Sequence, residues 1–305
     1  MRFAVAGASG FIGKALVGRL EAEGHDVLRL VRRPVMRPGE VEWHPASCDV
    51  EQRSALEGLD GIVNLGGSDL AAGRWTARRK DEILRSRVES TRTLVAVMSR
   101  LNHRPPVFVC ASAVGLYGDR ADEELREGSA GGRGFLAEVC RDWEQEAKFA
   151  ESAGIRTVLL RLGIVLGRGG GALAQMAPVF RSGLGGRLGS GRQWVSWIAL
   201  DDAVGVVRRV LEDRKFTGPV NAVAPNPVRN SEFSAVLARA LGRWALVPVP
   251  AIVLRAIFGE MADGMLLAST RAVPQRLIDA GYSFAYPELQ DAFQAVFLHA
   301  PGEPR

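Results

Sequence analysis

The chain has 305 residues, with 47% hydrophobic and 24% charged residues, the proportions of an ordinary globular enzyme. Its net charge of +5 comes mostly from arginines scattered among acids, with only four lysines and no basic run or aromatic-interleaved stripe, so no nucleic-acid partner is expected. Three cysteines without a C-x-x-C pair argue against a disulfide framework or a zinc site and fit a reducing, cytoplasmic setting. No stretch of ~18 uninterrupted apolar residues occurs, so neither a membrane span nor a membrane partner is expected.

In chain order, Arg2-Phe3-Ala4-Val5-Ala6 is a short apolar run that predicts a buried parallel strand. Gly7-Ala8-Ser9-Gly10-Phe11-Ile12-Gly13 follows, then a helix over 11–23 with Ile12, Leu16 and Leu20 at helical spacing. The glycine turn also interrupts the N-terminal apolar stretch, and no small-residue cleavage pattern follows, against a signal peptide. Strand, glycine turn and helix in this order predict a dinucleotide cradle, in which missing Cβ atoms admit a pyrophosphate and open N–H groups hold its charge. The spacing is G-x-x-G-x-x-G, one residue wider in its first gap than the commoner pattern.

The second strand is expected over 25–31. It ends at Val31, followed by Arg32 and Arg33, where an acid would grip the ribose hydroxyls of NAD. A guanidinium instead suits a 2′-phosphate, so the expected cofactor is NADP(H). Further strands are expected over 60–64, 106–111 and 156–161, alternating with helices over 76–101 and 135–153. This alternation predicts an α/β fold with a Rossmann-like, doubly wound parallel sheet. Residues 167–191 hold nine glycines around one helical piece, 172–181, which reads as an ordered loop shaped around a ligand. A helix over 200–211 rejoins the sheet, and helical stretches from Asn230 onward predict a smaller, mostly α-helical C-terminal lobe. The expected division is a dinucleotide-binding domain over 1–166, with 200–224 returning to it, and a ligand lobe over 167–199 and 225–305.

The chain resembles the extended short-chain dehydrogenase/reductase superfamily through the Gly7–Gly13 turn, Asn64-Leu65-Gly66-Gly67, Ser112 through Tyr117-Gly118, and Arg161. More narrowly it resembles the atypical subgroup of epimerase family proteins, relatives of the NAD-dependent epimerase/dehydratases, some of which carry a cell-division-inhibitor name. Arg74-Trp75, Ser86-Arg87, Trp143-Glu144, the Leu166-Gly167 and triple-glycine stretch, Gly189-Ser190-Gly191-Arg192-Gln193 and Pro274-Gln275-Arg276 carry that resemblance. It implies that Gly7, Ser9, Gly10, Phe11, Ile12 and Gly13 surround the pyrophosphate and that Val31 and Arg32 flank the 2′-phosphate. Leu65 and Gly66 would pass under the adenosine side, with Glu82 and Arg87 on the cofactor side and Val165 at the nicotinamide end. The spacing of Glu82 and Arg87 on one helical face also allows an ion pair without ligand contact. Two copies would pair through the helices over 76–101 and 135–153.

The superfamily's Tyr-x-x-x-Lys pair is absent. Its positions hold Leu136 and Cys140, and the usual Ser or Thr is Ala113. Tyr117 and Ser112 are the remaining hydroxyl candidates for proton handling, although a core tyrosine and a strand-end serine explain them too. The subgroup's histidine before Asp201-Asp202 is replaced by Ala199, and the two aspartates are expected to cap the next helix. His25, His44, His103 and His299 lie outside these motifs. For a second, small-molecule ligand of unknown identity, Met176, Arg192, Gln193, Trp194 and Trp197 are the pocket candidates; packing between lobes explains the same residues. Two functions follow: an NADP(H)-dependent oxidoreductase or epimerase-like enzyme, and a catalytically silent NADP(H)-binding regulator.

Overall fold

The computed structural model describes residues 1–47, 49–50 and 53–297; Cys48 and His299 lie outside them. The first half contains β1 (Arg2–Ala6), α1 (Phe11–Ala22), β2 (Asp26–Val31), β3 (Glu40–His44), β4 (Asp49–Val50), β5 (Gly61–Asn64), α2 (Ala77–Ser99), β6 (Val107–Ala113), β7 (Glu124–Leu125) and α3 (Phe135–Lys148). Then come β8 (Arg156–Leu162), β9 (Ile164–Leu166), α4 (Gly171–Arg181), β10 (Trp194–Val195), β11 (Trp197–Ala199), α5 (Leu200–Glu212), β12 (Gly218–Ala222) and β13 (Val228–Arg229). The last elements are α6 (Asn230–Ala240), α7 (Ala251–Phe258), β14 (Arg271–Ala272), α8 (Gln275–Asp279) and α9 (Leu289–Phe297).

The main sheet runs β12-β8-β6-β5-β1-β2-β3-β4, parallel except for the two-residue β4. The chain leaves β1 toward β2 and β3 on one side, then returns through β5 toward β12 on the other, so the order reverses between β1 and β5. In doubly wound sheets that reversal opens a crevice beyond the strand C-termini. Both sheet faces are covered. Strand alternation sends Phe3 and Val5 to one apolar cluster with Leu16, Leu20 and Val207, and Ala4 and Ala6 to another with Leu94, Met98 and Trp143. A third cluster around Trp197, Phe180, Phe233 and Phe293 forms the core of the smaller C-terminal lobe, which is mostly helical.

Two local expectations are corrected. The helix over 135–153 ends at Lys148 and tightens into a 3₁₀ turn over 149–153, closed by Gly154 at φ 77°. Asp201 and Asp202 lie within the first turn of α5 rather than capping it: Ala199 is the cap residue, and no side chain caps it. Asp202 instead accepts hydrogen bonds from the backbone amides of Ala285 (2.7 Å) and Tyr286 (2.9 Å), tying the C-terminal segment to α5.

Candidate functional site

The glycine turn stands at the C-terminal end of β1, beside the sheet's reversal point. Gly7 has φ 78°, and a Cβ on it would lie 2.8 Å from the Leu65 carbonyl group. A Cβ on Gly13 would lie 2.1 Å from the Gly7 oxygen, so only glycine lets the helix seat this deeply. Gly10 donates to Gly7 O (2.9 Å) and serves as the α1 cap residue without a side chain. The first helical bond from this cap is Lys14 N–H to Gly10 O, so the amides of Phe11, Ile12 and Gly13 precede any acceptor one turn back. No acid occupies the first turn. Ser9 is exposed on the outer curve of the turn. Open amides at a helix start with no acid nearby are a geometry that can hold an anion.

At the end of β2, Val31 is half-buried and Arg32 exposed. Arg33 is held in a forked pair by Glu40, at 2.6 and 2.9 Å. Glu40 also accepts from the amides of Met36 and Arg37. The Arg33 bonds, then the Met36 amide, hold its carboxyl at about 2, against an ordinary 4.5. Arg33 is therefore committed to the turn, whereas Arg32 makes no ion pair among the described residues and stands at the strand end.

Across the crevice, Asn64 organises the next turn. Its Oδ1 accepts from Gly66 N (3.0 Å) and its Nδ2 donates to Thr91 Oγ1 (3.0 Å) on α2. Arg87 lies against Gly67, where a Cβ would come within 3.1 Å of its Cζ. It donates to the carbonyls of Ile83 and Ser68 (3.1 Å each) and sits over the Trp143 ring at 5.3 Å. The Glu82–Arg87 ion pair does not form: Glu82 turns outward to Arg79 at 2.7 Å. Five residues on a helix advance the face well past one turn, and Arg79, three residues before Glu82, is the nearer partner. Burial, with the like charge of Arg79, pushes the Arg87 pKa down. A half-buried guanidinium with no ion pair among the described residues, and only the more distant Asp69 carboxylate acting on it, is suited to an anionic ligand group.

Phe11 reaches the opposite wall. A Cβ on Gly170 would fall 2.3 Å from its ring, and one on Gly167 2.8 Å, so the glycine-rich segment is moulded around this side chain. Val165, in β9, pairs with Ile198 of β11 and packs on the sheet core beside the same segment. The positions of the missing proton-handling set are apolar. Leu136 packs with Trp75, Ile83 and Met261. Cys140 is buried, and burial pushes its thiol up to about 11.

The two remaining hydroxyls are built into the interior. Ser112 Oγ donates to Glu144 Oε1 (2.7 Å), and Glu144 takes a forked pair from Arg161 at 2.8 and 2.9 Å. Tyr117 has no exposed surface; its oxygen accepts from Arg161 (2.9 Å) and bonds Asn221 Oδ1 at 2.7 Å. Burial raises the Tyr117 pKa. Burial alone would lower that of Arg161, but the Glu144 bonds outweigh it and raise it. In this arrangement both hydroxyls serve a buried charge network, with Glu127 and Asn221 completing it. Asn221 carried a readable signal, a carboxamide inside the apolar run Val220-Asn221-Ala222.

The second-ligand candidates separate. Trp197 is fully buried in the lobe core and donates to Asn226 O (3.0 Å), leaving no surface for a ligand. Gln193 is buried and spends both amide protons on the carbonyls of Leu188 and Leu266. Met176 is half-buried against the lobe core, and the exposed Arg192 accepts a bond from Arg229 at its carbonyl. Trp194 is half-exposed, with Arg229 over its ring at 4.1 Å, Arg271 at 4.8 Å and its indole N–H on Asp122 (3.1 Å). Among the described residues no group of His, Cys, Asp and Glu could hold a metal ion. No described helix is long and apolar enough to cross a membrane.

Residues 3–222 match the model of the NAD dependent epimerase/dehydratase family, and 249–296 match a domain of unknown function. An epimerase family protein of Mycobacterium tuberculosis is 41% identical over 95% of both chains. The crystal structure of the human epimerase family protein SDR39U1 with NADPH is similar at a TM-score of 0.90, with 35% identity, covering 98% of this chain and all of that one. A nucleoside-diphosphate sugar epimerase structure from Corynebacterium glutamicum matches at a TM-score of 0.80 and 35% identity, covering 97% of this chain and 58% of the other. The glycine cradle at the sheet reversal thus sits inside a match that spans most of the molecule, and the chain belongs to the NAD dependent epimerase/dehydratase family.

Proposed function

We propose that this protein binds NADP(H) in the crevice between the Gly7–Gly13 turn and the Leu65–Gly67 turn, and acts as an oxidoreductase on a small molecule without the superfamily's tyrosine–lysine proton relay. The observation that carries the cofactor choice is the contrast at the end of β2: Glu40 occupies Arg33 and leaves Arg32 free for a 2′-phosphate. The NADPH-bound human relative supports the same reading. The amides of Phe11, Ile12 and Gly13, with Ser9 and Gly10, would hold the pyrophosphate, and Leu65 and Gly66 the adenosine side. Val165 and Phe11 would wall the nicotinamide end, with Arg87 giving an anionic group its counter-charge and Glu82 steadying Arg79. When bound, the nicotinamide supplies or accepts a hydride. This chain's own part is to orient and enclose the reactants, because Leu136, Ala113 and the thiol of Cys140 offer no proton at neutral pH, and the proton comes from solvent or substrate. The division into a sheet domain (1–166 with 200–224) and a ligand lobe (167–199 with 225–305) belongs to this proposal, supported by the lobe's separate apolar core.

A second reading, a catalytically silent NADP(H)-binding regulator, is favoured by the burial of Ser112 and Tyr117 in the Arg161–Glu144 network. Titration calorimetry tests the shared part: Arg32→Ala should lower NADPH affinity about 10- to 100-fold toward that of NADH, from loss of a charge-assisted forked contact. Equal binding of NADPH and NADH by the unmodified chain would refute it. A screen of carbonyl compounds followed by NADPH absorbance separates the two functions. Turnover that disappears in Gly10→Trp establishes the enzyme; binding without turnover across the screen establishes the regulator.

A further inference from the structure

The lobe carries an edge that water does not favour. α7 is an eight-residue helix, Ala-Ile-Val-Leu-Arg-Ala-Ile-Phe, in which only Leu254 is buried. Ile252 is 76% exposed and Ile257 54%, and in the preceding loop Trp244 is 76% and Leu246 74% exposed. The neighbouring 181–189 stretch runs alongside. Arg243 Nε donates to Arg181 O (3.0 Å), Val249 N to Arg187 O (2.9 Å), and Gly189 N to Val249 O (2.8 Å). This brings Leu184, 61% exposed, to the same edge. Single exposed apolar side chains are ordinary, but Leu184, Trp244, Leu246 and Ile252 gathered at one edge mark an attachment face, whereas Ile257 lies about 140° around α7 from Ile252 and belongs to another face.

Charge identifies what it attaches to. Segments 168–200 and 233–259, which build this end of the lobe, contain four and three arginines and not one aspartate or glutamate. Arg181, Arg187 and Arg243 make no ion pair among the described residues; Arg255 is paired to Asp263 at 2.9 Å. A second copy docked through this strip would set arginine against arginine, whereas an anionic surface would be drawn to it. The apolar side chains project from a short helix and an exposed loop with arginines beside them, the pattern of a segment that lies in a membrane interface, with tryptophan at the headgroup level. We propose that the strip formed by Leu184, Trp244, Leu246 and Ile252, with Arg181, Arg187 and Arg243, docks this protein on the surface of an anionic lipid bilayer without crossing it. This departs from the membrane-free expectation of the sequence, which rested on the lack of a spanning segment.

Flotation of the full chain with vesicles tests it. Phosphatidylcholine vesicles containing about one-third phosphatidylglycerol should carry the protein upward at low salt, and pure phosphatidylcholine should not. Ile252→Asp should lower the partition coefficient about tenfold, Ile252→Asp with Leu246→Asp further, and ~0.5 M salt should release the protein. Both side chains are exposed, so the variants should keep the thermal midpoint and the NADPH affinity of the parent. Failure of the parent to float with anionic vesicles would overturn the proposal, as would flotation undiminished by the double variant. Retention on immobilised polyglutamate without flotation would assign the strip to an acidic protein instead. A dimer that the double variant dissolves, again without flotation, would assign it to a second copy.

Discussion

Arg161 and Glu144 decide much of the local energetics around the ends of β6 and β8. Both side chains are under a tenth exposed, and the forked pair also anchors Ser112 and Tyr117. Removing one member leaves the other charge buried without its partner, a loss of about 3–5 kcal/mol. Glu144→Ala should therefore remove a large part of the folding free energy, read as a lower urea midpoint, and a shift within error would show that the pair is dispensable. Glu40 offers a residue-scale test with a pH signature. Its carboxyl titrates near 2 when folded and near 4.5 when free, so the folded state binds fewer protons between those values. The stabilisation is complete above about 4.5 and fades as the pH falls toward 2. The gap in urea midpoint between the parent and Glu40→Gln should close over that interval and stay constant above it. A gap independent of pH would assign the stabilisation to packing instead.

Among the elements, α1 and α4 are coupled through one ring. Gly170 is extended, with φ −167°, and its backbone would accept alanine, so the nearest obstacle is the Phe11 ring. Gly170→Ala should destabilise by about 1–3 kcal/mol, the usual cost of overpacking, and weaken NADPH binding by displacing the start of α1. Adding Phe11→Ala should recover part of the stability, a non-additive result expected for residues in contact. Strict additivity in urea unfolding would show that the ring and the glycine do not press on each other. The same scale shows what was legible in the chain. The central strands and α1 to α5 were readable because apolar repeats and glycine punctuation act locally. β12 was not, because Gly218-Pro219 at its start reads as a turn; the proline is tolerated because the strand pairs only with β8 at the sheet edge. β3 is hidden by its mixed Glu-Val-Glu-Trp-His pattern. The cradle glycines were legible for the same local reason. The environment of Tyr117 was not, because Asn221 lies 104 residues away and Glu144 closes on Ser112 across 32. No spacing rule connects such positions; only the folded sheet does.

For the whole molecule, the lobe and the sheet are joined at several points. Asn221 Nδ2 reaches Val273 O (2.8 Å), Arg276 N reaches Glu127 Oε1 (3.2 Å), and the amides of Ala285 (2.7 Å) and Tyr286 (2.9 Å) reach the Asp202 carboxylate on α5. Each belongs to a segment from 270 onward that returns to the sheet, so separating the lobe would leave buried polar groups unpaired on both sides. The sheet and lobe should therefore melt in one transition. NADPH at a hundred times its dissociation constant stabilises the folded state by ~2.7 kcal/mol. With an unfolding entropy of ~2.1 cal/mol/K per residue over 305 residues, that raises the Tm by about 4 °C. NADH at the same concentration should give a smaller shift, and Arg32→Ala should reduce the NADPH shift to that level while leaving the ligand-free Tm in place, since Arg32 is exposed and unpaired among the described residues. Scanning calorimetry that resolved two transitions, with only the sheet domain moved by NADPH, would show that the contacts from 270 onward do not join the two parts into one cooperative unit.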